Sequence, residues 1–164
     1  MTRRAIAATV AFLIGWSIFH VVTPVQEVAI PEMPDLEVRS ITLKHYGCTD
    51  AELKCSVFDV TFRSDGTATY IGYSNDDFIG KHKSLIGEHD FDTLVEQIQK
   101  QGFFELPPDY NTEIEEEQIK IEVVTNEGLR VVRFNNWSDT PVELRILDAL
   151  IEEQIYHMYW DEDK

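Results

Sequence analysis

The hydrophobic and polar positions along this chain change period several times, and each change marks an element. Val38 to His45 alternates loosely around Ile41 and Leu43, a strand pattern in which every second side chain faces the same side. Val57 to Phe62 (V-F-D-V-T-F) is rich in β-branched and aromatic residues, and Thr67 to Tyr73 follows it after Asp65-Gly66. That dipeptide predicts a tight hairpin, because glycine tolerates the positive φ such turns demand. A fourth, weaker strand is expected over Lys81–Ile86. The period then lengthens. Phe91, Leu94, Val95 and Ile98 fall on one helical face, with Asp90 placed as N-cap and Gly102 as the stop. Phe103, Phe104 and Leu106 should tuck into the core before Pro107-Pro108 breaks the chain. Ile119–Thr125 and Leu129–Asn135 flank Asn126-Glu127-Gly128 as a second hairpin. A last helix is capped by Thr140, carries Pro141 in its first turn and Glu143 as the partner in a capping box. Its buried stripe is expected to be Leu144, Leu147, Ile151, Ile155 and Met158.

The order β-β-β-(β)-α-β-β-α with short hairpins predicts an α+β fold. It should be a single antiparallel sheet of about five or six strands with two helices packed on one face. The same pattern predicts one N-terminal transmembrane helix ahead of it. Arg3 and Arg4 precede an apolar run from Ala5 to Val22, broken only by Thr9, Ser17 and His20. Eighteen helical residues rise about 27 Å, close to the roughly 30 Å of a bilayer's hydrocarbon. An uncleaved signal anchor fits the run length better than a cleaved secretory signal, which wants a shorter core and a small-residue cleavage site. The two arginines would hold the N-terminus in the cytoplasm of a bacterial cell and leave the C-terminal domain outside it. Pro24, Pro31 and Pro34 make residues 23–37 an extended tether, residues 38–160 a single domain and 161–164 an acidic tail.

Charge narrows the partners. The chain carries 14 Lys or Arg against 30 Asp or Glu, a net charge of −16. With Arg3 and Arg4 set aside, residues 23–164 stand at −18. An average surface of that sign repels nucleic acid and anionic lipid, so no nucleic-acid partner is expected. A protein or an envelope component is, and the membrane itself through the N-terminal helix.

The two cysteines, Cys48 and Cys55, lie seven positions apart in a domain expected in an oxidising compartment. An even count there argues for a disulfide, worth roughly 2.5 kcal/mol on the chain-entropy model, over free thiols or a metal pair. Cys48…Cys55-Ser56-Val57-Phe58-Asp59-Val60, then Asp65-Gly66, Tyr70 and Gly72, resembles an uncharacterised bacterial domain family. Its signature is a Cys pair followed by Pro, an aromatic strand, an Asp-Gly turn and a Tyr-x-Gly strand. Gly80, Phe103-Phe104-x-Leu106, Tyr110 and Pro141-x-x-Leu144 extend the resemblance over about residues 40–160. The cysteine spacing is longer than the family's usual pair, and Ser56 stands where Pro is expected. The resemblance implies no known activity and no cofactor.

Candidate chemistry is sparse. Asp109, Asn111, Glu113 and Glu115 place oxygen ligands at alternate positions, as a calcium loop does. Ile114 and Lys120 stand where the helix-loop-helix motif needs Gly and Glu. A looser cation site, or simply a solvated acidic loop, is left open. His82, His89 and Asp90 would bind a metal only if their loop folds back. His45 beside a reduced cysteine would be nucleophilic, which the compartment disfavours. No serine-hydrolase elbow, zinc-protease helix or phosphate loop is present, so no catalytic residue is assigned. Trp137, in the polar turn Asn135–Asp139, either anchors a partner or plugs the core. The expectation is a non-enzymatic binding domain, with an envelope hydrolase using paired carboxylates and a cation-binding domain using residues 109–117 as rivals.

Overall fold

The computed structural model describes residues 36–46, 56–74, 78–110, 118–135 and 140–162, all within the unit Met33–Lys164. They form one antiparallel sheet covered on one side by two helices. The strands are β1 (Val38–Tyr46), β2 (Val57–Arg63), β3 (Thr67–Ser74), β4 (Gly80–Leu85), β5 (Gln118–Thr125), β6 (Gly128–Asn135) and β7 (Asp161–Glu162). The helices are α1 (Glu88–Lys100) and α2 (Val142–His157). Across the sheet the order is β6-β5-β1-β2-β3-β4-β7. A four-strand meander therefore runs outward from β1, and the β5–β6 hairpin lies along the other edge of β1. To pass between these halves the chain crosses the sheet twice, as α1 from β4 to β5 and as α2 from β6 back to β7. Both crossings lie on the same face, because Phe91, Leu94 and Ile98 of α1 and Leu144, Leu147, Ile151 and Ile155 of α2 join the inward residues of the strands in one buried cluster.

Two features of the expected architecture need correction. The sheet has seven strands, not five or six. Residues Asp161 and Glu162, read as an acidic tail, pair with Lys83 and His82 of β4. They are held there because Trp160 is buried: its indole N–H donates to the Ile155 carbonyl at 2.9 Å, and its ring packs 5.5 Å from that of Tyr70. No helix among the described residues is long and apolar enough to cross a membrane, so the expected transmembrane helix forms no part of the fold described. The apolar run Ala5–Val22 lies outside the described residues.

Local chemistry explains the element boundaries. Asp65 accepts hydrogen bonds from the Thr67 N–H at 2.9 Å and the Thr67 hydroxyl at 2.6 Å, closing the β2–β3 turn. Those bonds hold the Asp65 carboxyl below its ordinary value. Helix α1 starts two residues before the expected cap, with Gly87 as N-cap and Asp90 inside the first turn. Its C-terminus is a Schellman motif: Phe103 N–H bonds to Ile98 C=O, Gly102 N–H bonds to Gln99 C=O, and Gly102 takes the required positive φ of 64°. Thr140 does not cap α2, whose N-cap is Pro141. Instead its hydroxyl donates to the Asn135 carbonyl at 2.6 Å, tying the end of β6 to the helix start. At Gly72 a Cβ would stand 2.1 Å from the Phe78 carbonyl oxygen, so glycine is the residue that lets the 78–79 segment lie against β3.

Candidate functional site

The helices leave one face of the sheet open, and the strand registers place the charged side chains on it. Three rows of neighbours cross the strands. The first reads Arg133, Lys120, Lys44, Asp59, Ile71, Lys81 from β6 to β4. The second reads Val131, Glu122, Thr42, Thr61, Thr69, Lys83 and then Asp161 on β7. In the third, Ser40 lies beside Val124 on β5 and Arg63 on β2. Together these rows hold six Lys or Arg and three Asp or Glu, so among the described residues the open face is net positive by three, in a chain whose net charge is −16.

Cations directly opposite one another on neighbouring strands are destabilising. Arg133, Lys120 and Lys44 are three such neighbours in succession. Glu122 and Asp59 relieve part of the repulsion. Lys120 Nζ lies 2.8 Å from Glu122, and Lys44 Nζ lies 3.6 Å from Glu122 and 3.8 Å from Asp59. Burial pushes the Glu122 carboxyl up, but the hydrogen bond from Lys120 and the charges of Lys44 and Lys120 outweigh it and leave the group below its ordinary value. Lys120 also sits 5.9 Å from the centre of the Tyr46 ring, a cation–π distance. Thr42 and Thr61 share a hydrogen bond at 3.0 Å, and Arg63 donates to Thr69 at 2.9 Å. The side chains are thus held in place around a shallow hollow of about 320 Å³ floored by Thr42, Thr61 and Thr69.

On the covered face a second constellation forms. His45 alternates inward with Ile41 and Leu43 on β1, and Asp148 and Glu152 stand one turn apart on α2. His45 Nε2 lies 3.0 Å from Asp148 Oδ1 and 3.8 Å from Glu152 Oε1. His45 and Asp148 are only 6% and 9% exposed. The His45 ring stacks on Phe58 with centroids 4.7 Å apart and planes 15° apart, and Phe58 stacks in turn on Tyr70. Such a group can share a proton or hold a cation.

The residues singled out in the sequence fare differently. Asp109 is exposed and its backbone bridges to Arg133; Asn111, Glu113 and Glu115 lie outside the described residues. Cys48, Cys55 and Trp137 also lie outside them. His82, His89 and Asp90 do not converge: His82 lies on β4 with its Nε2 3.1 Å from the Ile79 carbonyl, while the other two lie in α1. In the sequence His45 stands out only as a neighbour of the cysteines, and Asp148 and Glu152 carry no motif. A signal for them exists. Asp148 lies four residues after Leu144 and seven before Ile155, on the buried stripe, where an acid needs a partner.

No curated protein matches the chain. Residues 39–155 match the family described as Domain of unknown function (DUF6438), a stretch that runs from the second residue of β1 through β6 and nearly all of α2. The match spans more than half of the chain, and the chain belongs to this family of domains of unknown function.

Proposed function

We propose that this chain is an exported, non-enzymatic binding domain whose open sheet face takes a short, extended acidic polypeptide. The observation that carries the reading is the row Arg133–Lys120–Lys44, extended by Lys81 at its far end, on a domain otherwise strongly acidic. A like-charged row lowers stability unless an anion offsets it. From β6 to β4 the row crosses five strand spacings, about 24 Å, which an extended peptide of roughly seven residues matches. The charge segregation also selects the kind of partner. Without the nine charged residues of this face, the rest of the chain stands at −19. A membrane surface or a nucleic acid wider than the face would bring its own charges against those acidic flanks, within a Debye length of about 8 Å. A short segment would not. Export is supported by Arg3-Arg4 and the apolar run Ala5–Val22.

The test is fluorescence anisotropy with a labelled heptaglutamate peptide at low salt. Heptalysine, anionic vesicles and single-stranded DNA serve as comparison probes. Saturable binding of heptaglutamate alone is expected, weakening as salt rises, and about tenfold weaker in a Lys81→Gln/Lys120→Gln variant. Equal binding of heptaglutamate by that variant, or preference for any other probe, would overturn the reading.

A further inference from the structure

We propose that His45, Asp148 and Glu152 form a three-ligand site for a divalent transition-metal ion of the zinc type. Two carboxylates converge on His45 Nε2, Asp148 at 3.0 Å and Glu152 at 3.8 Å. A cation placed among the three would be held by one nitrogen and two carboxylate oxygens. Their ligand atoms lie within 4.8 Å of one another. Tetrahedral zinc with bonds of about 2.0–2.1 Å sets neighbouring ligand atoms about 3.3 Å apart, so a small inward movement of Glu152 closes the site. Glu152 is the more exposed partner, with a side chain 38% exposed, whereas His45 and Asp148 are buried in the core.

Charge and surroundings point the same way. Two carboxylates and a neutral imidazole carry −2, which a divalent ion neutralises, and a buried Asp is costly without such compensation. The stacked Phe58 ring fixes the imidazole's orientation, the task usually given to supporting residues around a metal. Spacing fits as well: Asp148 and Glu152 are four residues apart on one helix face, and the strand supplies the third ligand from β1. One nitrogen and two carboxylates suit zinc or its neighbours and are too few oxygens for calcium. The fourth position would be left to water or to a group brought by a partner.

The full chain, purified and stripped with a chelator, is titrated calorimetrically with zinc chloride and, separately, calcium chloride, and cobalt is then added for its visible spectrum. One equivalent of zinc should bind and calcium should not, and cobalt should give bands of nitrogen–oxygen rather than thiolate ligation. Glu152→Gln should weaken zinc by about tenfold or more while leaving the melting temperature of the stripped protein unchanged. Asp148→Asn should abolish binding. Absence of zinc binding, or equal affinity in Glu152→Gln, or loss of the site in Cys48→Ser with Glu152→Gln unaffected, would each overturn the proposal.

Discussion

Glu122 is the carboxylate that links two cations of the open face. It takes the 2.8 Å contact from Lys120 and the 3.6 Å contact from Lys44, the two cations that oppose one another across β5 and β1. Its carboxyl is held below the ordinary value of 4.5. A depressed carboxylate contributes stability that is present above the unfolded-state value and disappears as pH falls through the folded-state one. Glu122→Gln should therefore melt earlier than the native chain at neutral pH, and the gap should close as pH falls below 4.5. Thermal melts across an acid series measure this; a gap that stays constant would show that the ion pairs do not hold the face. The inward placement of His45 and Asp148 was legible in the sequence, from a strand period of two and a helical stripe respectively. Their meeting was not, because nothing local links β1 to α2 across 103 positions.

At the scale of elements, periodicity located the two hairpins and both helices, while the helix caps and the C-terminal strand were missed for different reasons. Asp90 and Thr140 are good capping residues by type, yet each is used elsewhere: Asp90 in the first turn of α1, Thr140 against the Asn135 carbonyl. Capping propensity is a preference that a tertiary hydrogen bond overrides. The pair Asp161–Glu162 is too short to carry a period at all. It becomes a strand because Trp160 anchors the chain beside it, and because the Tyr159 carbonyl accepts a hydrogen bond from Ser84 at 2.6 Å. Trp160→Ala should therefore cost about 3 kcal/mol by denaturant unfolding. Deleting residues 161–164, which removes two exposed strand residues, should cost far less. Equal losses from both changes would mean that β7 holds Trp160 in place rather than the reverse.

For the whole molecule, the informative quantity is the distribution of charge and not its sum. A net charge of −16 suggests a partner that is basic or absent; the strand registers gather six of the chain's 14 Lys and Arg on one face and reverse that expectation locally. Sequence composition contains no information about which strands are neighbours, and the order β6-β5-β1-β2-β3-β4-β7 is what brings Arg133, Lys120 and Lys44 side by side. The His45, Asp148 and Glu152 cluster is separate from this face, since β1 sends Lys44 to one side of the sheet and His45 to the other. The most direct measurement of the central claim is amide chemical-shift mapping of the isotope-labelled protein titrated with heptaglutamate. The account predicts saturable shifts concentrated at Lys44, Thr61, Lys81, Lys120 and Arg133, with α1 and α2 unmoved. Shifts centred on the helical side, or none at saturating peptide, would contradict it.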